Sequence, residues 1–138
     1  MDEALVALVW ERAKRVCEYC QLPEACSLLT FEIDHIIARK HGGKTVARNL
    51  ALSCFYDNSF KGPNIAGLDP LTGELARLFN PRRQKWPRHF RWDGPILIGR
   101  TAVGRATINV LRINLSIRVG HRKSLIAEGL FLLQNLND

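Results

Sequence analysis

Leu50-Ala51-Leu52-Ser53-Cys54-Phe55-Tyr56-Asp57-Asn58-Ser59-Phe60-Lys61 reads as a strand that turns directly into a helix. Leu50 to Phe55 is largely apolar and suits a buried strand. Asp57 or Asn58 can cap a helix beginning over Asn58 to Lys61, because their side-chain oxygens accept from its first N–H groups. Upstream, Leu28 to Ile33 is a second run of apolar and β-forming residues, closed by Asp34-His35. Between the two runs, Ala38 to Asn49 holds Arg39, Lys40, His41, Gly42, Gly43, Lys44 and Arg48 with few apolar side chains, and reads as an exposed, flexible basic loop. The order is strand, loop, strand, helix, which places the chain in the α+β class.

Working outward, Asp2 to Val16 reads as a short amphipathic helix that delivers the chain to Cys17-Glu18-Tyr19-Cys20. This C-x-x-C spacing lets two thiolates share one tetrahedral zinc. Gln21 to Ser27, with Pro23, is a loop. Beyond Gly62, the turn-rich stretch from Pro63 to Gly73 predicts a long ordered loop that needs side chains to pin it. Arg88 to Ile98 predicts a hairpin turning at Asp93-Gly94. A helix capped by Thr101 follows to about Leu111, and another runs from about Ser116 to Leu136.

The 138 residues fit one domain. No apolar run is long enough to span a bilayer, and Met1 to Arg15 mixes acids and bases unlike a secretory signal, so the reading is a soluble, cytoplasmic chain with no membrane partner. That setting favours metal binding over disulfides for Cys17, Cys20, Cys26 and Cys54. The formal net charge of +7 points to a polyanionic partner, and the whole surplus lies in residues 62–138. Charge alone also fits a surface kept soluble by repulsion.

Taken in order, Cys17-x-x-Cys20, Asp34-His35, Gly42-Gly43, Asn49-Leu50 and Cys54-x-x-Asp57-Asn58-x-x-Lys61 resemble the zinc-knuckle branch of the HNH, or ββα-metal, nucleases. The resemblance extends through Lys61 to Gly67, Leu78 to Arg82 and His89-Phe90, which look like bacterial HNH proteins of similar length. It implies a nuclease core at about residues 12–64 and an extension at about 65–138, within a single domain. It also implies metal-dependent hydrolysis of DNA, with His35 as general base and Asp34 and Asn58 as ligands of one Mg²⁺ or Mn²⁺. Their hard oxygen donors suit those ions. Asn49 would bridge backbone groups so that the loop holds His35. Lys61 would contact phosphate, with Arg39, Lys40 and Arg48 as weaker candidates for steering.

The chain departs from the family at Cys54-Phe55-Tyr56-Asp57, where a carboxylate stands in place of the fourth thiolate. A Cys17, Cys20, Cys54, Asp57 zinc site is chemically feasible, with Asp57 as a harder donor. Cys26 is an alternative fourth ligand, although core filling is the simpler use for it. A knuckle held by packing without zinc is a third reading. Arg82, Arg83, Lys85, Trp86, Arg88, Arg91 and Trp92 interleave cations with aromatics, as a nucleic-acid surface does. The same pattern fits aromatics packed inward with cations reaching outward. Taken singly, Asp34 can be a turn former and His35 a hydrogen-bonded side chain, and His41, His89 and His121 have no supporting motif. Two other functions compete with the nuclease: an inactive nucleic-acid-binding module of the same fold, and a zinc-stapled protein-interaction domain.

Overall fold

Helix α1, Glu3–Arg12, starts where Asp2 accepts the N–H of Leu5, and it buries Val9. It is shorter than the expected run to Val16, because Lys14 and Arg15 take left-handed backbone angles that end it. Arg12 reaches back from its last turn to the carbonyls of Ala47 and Leu50, at 3.0 and 2.7 Å. Cys17 therefore lies beyond a turn and not at the helix end. The computed structural model describes residues 1–131, which pack as two compact units: residues 1–65 with 80–83, and residues 66–79 with 84 onward.

In the first unit the residues from Cys17 to Gln21 form a knuckle that returns on itself through Cys17 N–H to Leu22 O and Gln21 N–H to Cys17 O, both 2.9 Å. Strands β1, Glu32–His35, and β2, Leu50–Ser53, pair antiparallel, with Asp34 opposite Ala51 and His35 opposite Leu50. Strand β1 begins later than expected. Ser27 folds back onto Leu29 in a tight turn, and Leu28 is fully exposed. Every residue of β2 is buried, as its apolar run predicts. The knuckle docks on β2 through Glu18, whose N–H donates to Leu52 O and whose carboxylate accepts from Leu52 N–H.

Helix α2, Phe55–Lys61, begins three residues earlier than expected. Its cap is neither Asp57 nor Asn58 but Cys54, whose Sγ accepts the N–H of Asp57 at 3.4 Å. The helix buries Asp57 and Lys61 and leaves Asn58 half exposed.

In the second unit the expected long loop contains a hairpin of β3, Ala66–Leu68, and β4, Leu75–Arg77. Asp69 organises its turn, accepting from Leu71 N–H and the Thr72 hydroxyl and taking a two-pronged ion pair from Arg105. Arg105, Leu71 and Thr72 hold the Asp69 carboxyl down to about 2. A depressed folded-state value stabilises the fold above the ordinary value near 3.8, and that stability is lost as pH falls towards 2. Acid unfolding should therefore steepen between pH 4 and about 2, and an Asp69→Asn variant should lose that part of the profile. Equal acid limbs for the two proteins would remove Asp69 from the account.

The expected hairpin forms as β5, Phe90–Asp93, and β6, Ile96–Gly99, turning at Gly94-Pro95, but Arg88 and His89 belong instead to a short helix α3, Trp86–His89, that precedes it. Trp92 and Phe90 are buried, and their rings pack with Trp86, Phe79 and Phe131, while Arg88 and Arg91 are exposed. Phe90 and Trp92 are core side chains, and Trp86 packs on them half-buried. Helix α4, Ala102–Leu111, is capped by Thr101 as expected. Helix α5, Ser116–Ala127, starts as expected but ends before Gly129, whose φ of 72° favours glycine. The remainder of its expected length, residues 132–136, lies outside the described residues. Among the described residues no helix is long and apolar enough to cross a membrane.

Candidate active site and metal cluster

Asp34, His35 and Asn58 line one cleft of about 380 Å³, together with Ile33, Ala38, Arg39, Lys40, Gly62 and Pro63. The last two residues of β1 supply the carboxylate and the imidazole. Helix α2, following β2, brings the amide alongside, and the exposed Arg39 and Lys40 come from a 3-10 turn at the start of the basic loop.

That loop is ordered, unlike the expectation, and Asn49 is the reason. Its Oδ1 accepts from Ile37 N–H at 2.9 Å, while its Nδ2 donates to Ile37 O at 3.0 Å and to Lys44 O at 2.9 Å. One amide thus ties the chain just after His35 to the far side of the loop. Gly43 allows this closure, since a Cβ there would lie 1.7 Å from the carbonyl oxygen of Ile37. The loop returns Thr45 to the imidazole, with Thr45 Oγ1 2.8 Å from His35 Nε2. Nothing in the sequence singled out Thr45, because a contact across a ten-residue loop has no local periodicity.

Asp34 is almost fully buried and has two partners. Tyr19 donates its hydroxyl to Oδ2 at 2.7 Å, and the Lys61 ammonium lies 3.0 Å from Oδ2 and 3.2 Å from Oδ1. Burial pushes the Asp34 carboxyl up; Lys61, Tyr19 and His35 pull it back. Lys61 does face the Asp34 side of α2, but its nitrogen also donates to the carbonyls of His35 and Ile36, and the side chain is only 1% exposed. It is a structural counter-ion of Asp34 and does not present its charge to a phosphate. Oδ1 holds only the longer Lys61 contact among the described residues. The Asn58 amide lines the same cleft, and a carboxylate with an amide oxygen is the donor chemistry that hard divalent cations take.

The donor atoms of Cys17, Cys20, Cys54 and Asp57 all lie within 4.8 Å of one another, and all four residues are buried. Cys20 Sγ and Cys54 Sγ are 3.7 Å apart, and Cys17 Sγ is 3.2 Å from Asp57 Oδ2. A tetrahedral zinc with bonds of about 2.3 Å to sulfur needs sulfur atoms roughly 3.8 Å apart, so the cluster fits the ion. Burial, reinforced by Cys20 and Cys54, pushes the Cys17 thiol well up, so metal binding has protons to displace. Cys26 is not in the cluster; it ends the 3-10 turn Glu24–Cys26. If the four residues share zinc, Asp57→Cys should bind it more tightly and raise the melting temperature in zinc, by mass action on the folded state. Elemental analysis and melting curves with and without chelator test this. An Asp57→Cys protein with no gain in zinc affinity would remove position 57 from the ligand set.

The remaining candidates are dispersed. Arg48, Arg83 and Lys85 are exposed, while Arg82 is mostly buried and paired with Glu18. His41 and His121 are exposed, and His89 Nδ1 lies 2.6 Å from the Thr101 hydroxyl. Comparison with known families matches residues 17–64 to HNH endonuclease, a span that holds both the cleft residues and the cluster. No curated protein and no solved structure matches the chain.

Proposed function

We propose, on the premise that residues 17–64 form an HNH endonuclease domain, that this protein hydrolyses DNA phosphodiester bonds with His35 as general base. The observation that carries the reading is the single cleft shared by Asp34, His35 and Asn58, with Arg39 and Lys40 on its wall. Hydrolysis needs a base for the attacking water, neutralisation of the phosphate and relief of charge on the leaving oxygen. A contact between Nε2 and Thr45 leaves Nδ1 as the atom that takes the proton from water, once Nε2 carries the hydrogen. Asp34 and Asn58 would hold Mg²⁺ or Mn²⁺, which supplies Lewis-acid stabilisation of the phosphate and leaving oxygens. Arg39 and Lys40 grip the flanking backbone, and the exposed Arg48, Arg83 and Lys85 are further candidates for contacts that position without reading sequence.

Asn49 acts on this site through the loop. Asn49→Ala removes three hydrogen bonds that place the chain around His35. Cleavage should fall about 10-fold or more, with the metal concentration for half-maximal rate unchanged. An unaltered rate would contradict the bridging role.

The near-complete burial of Asp34 against Lys61 and Tyr19 favours a second reading, a DNA-binding module without catalysis. Incubation with supercoiled plasmid, with and without Mg²⁺ or Mn²⁺, separates the two. Metal-dependent nicking is expected. Salt-sensitive binding without nicking would select the module, and neither would leave a protein-interaction domain.

A further inference from the structure

Tyr19 stands between two members of the thiolate cluster, in Cys17-Glu18-Tyr19-Cys20, and its side chain is completely buried. Its hydroxyl donates to Asp34 Oδ2, at 2.7 Å. The backbone that carries it is fixed on every side. Cys17 and Gln21 close the knuckle through their N–H groups, and Glu18 fastens it to β2 beside the position where Asp34 pairs with Ala51. The phenol thus stands on the same short knuckle whose two cysteine sulfur atoms belong to the cluster.

We propose that Tyr19 is a positioning residue through which the Cys17–Cys20–Cys54–Asp57 cluster fixes the cleft carboxylate: its hydroxyl occupies Oδ2 of Asp34 and leaves Oδ1 as the oxygen offered to a divalent ion. This rests on Asp34 being a ligand of the cleavage ion. Two contacts hold Oδ2, whereas among the described residues Oδ1 has only the 3.2 Å approach of Lys61. Lys61 touches both oxygens and so cannot choose between them; the phenol touches one. Loss of the hydroxyl frees the carboxylate to rotate about the ammonium, and the outer oxygen loses its fixed direction. Cluster and cleft are then coupled by a path of one side chain, distinct from the chain adjacency of Asp57 and Asn58.

The test is Mn²⁺ binding to zinc-loaded protein without DNA, followed by the electron paramagnetic resonance of free Mn²⁺. Asp34→Asn identifies the cleft-bound fraction. Partners that orient a metal ligand are worth about 10–100-fold in metal affinity, so Tyr19→Phe, which keeps the ring, should weaken cleft binding by at least about 10-fold. A purely structural tyrosine would lower the melting temperature and leave Mn²⁺ affinity unchanged well below it. That result would overturn the proposal.

A second measurement needs no variant. Exchanging zinc for the larger cadmium ion in the wild type lengthens the bonds to sulfur and displaces Cys17 and Cys20. The ¹³C carboxyl resonance of Asp34 should then move with the cysteine resonances. Cysteine resonances that shift while Asp34 stays fixed would refute the coupling even if Tyr19→Phe failed to fold. Plasmid nicking decides the catalytic reading separately. A protein that nicks DNA through His35 but binds Mn²⁺ equally well without the Tyr19 hydroxyl keeps its function and loses this inference.

Discussion

A His35→Ala variant is expected to lose about 10²–10⁴ in cleavage rate while its DNA affinity and melting temperature stay close to wild type. The expectation follows from the placement of the imidazole. His35 is half exposed at the end of β1, and its ring is held by Thr45, which is itself exposed. Removing the ring opens no buried cavity and leaves no buried partner without a bond, so the stability change should stay within about 0.5 kcal/mol. On the proposed reading, binding is carried by Arg39, Lys40 and other exposed cations that the substitution does not touch. The rate, by contrast, would lose the proposed base for the water proton. Thr45→Val provides a graded companion: the imidazole remains but Nε2 loses its partner, and a partial loss of rate with unchanged binding is expected. Nicking by His35→Ala at the wild-type rate would end the general-base assignment.

The strand–loop–strand–helix order was legible because β2 is largely apolar and because Asp34-His35 closes the first β-forming run before the basic loop. Thr101 and the turn at Gly94 were equally plain, since each uses a residue whose chemistry is specific to its position. Where the reading failed, the deciding interaction was non-local or chemically unusual. A thiol caps α2, and no propensity rule names cysteine for that task. Strand β1 starts late because a serine turn at Ser27 overrides the β-forming composition of Leu28 and Leu29. In the β3–β4 hairpin, Leu68 and Leu75 face each other yet are both exposed, so no alternation of apolar and polar residues marks the strands.

The same distinction runs through the candidate site. The family resemblance implied one location for Asp34, His35 and Asn58, and the cleft contains all three. Tyr19 was written in the sequence only as a spacer between two cysteines, and its contact with Asp34 depends on how the knuckle docks on β2. Ordering of the basic loop rests on one glycine and one amide. Gly43 was visible, but the absence of space for its Cβ was not.

Lys61 marks the largest difference between the two levels, and its substitution is the strongest stability test. Its place one turn after Asn58 made Lys61 a candidate phosphate contact, but spacing carries no information about depth. The ammonium is only 1% exposed and is surrounded by the Asp34 carboxylate and the carbonyls of His35 and Ile36. Lys61→Met keeps the length of the side chain and removes the charge, leaving a buried carboxylate with Tyr19 as its remaining donor and two carbonyls without their donor. Breaking a buried pair from one side costs about 3–5 kcal/mol. Much of that penalty is the stranded charge, so adding Asp34→Asn should recover part of it, and the double variant should be more stable than Lys61→Met alone. A surface lysine bound to phosphate behaves in the opposite way: stability changes by no more than about 0.5 kcal/mol, and the salt dependence of DNA binding falls by about one contact. Urea unfolding of the two variants, beside a salt titration of DNA binding, distinguishes these outcomes. A stable Lys61→Met protein with a shallower salt slope would return Lys61 to the DNA interface.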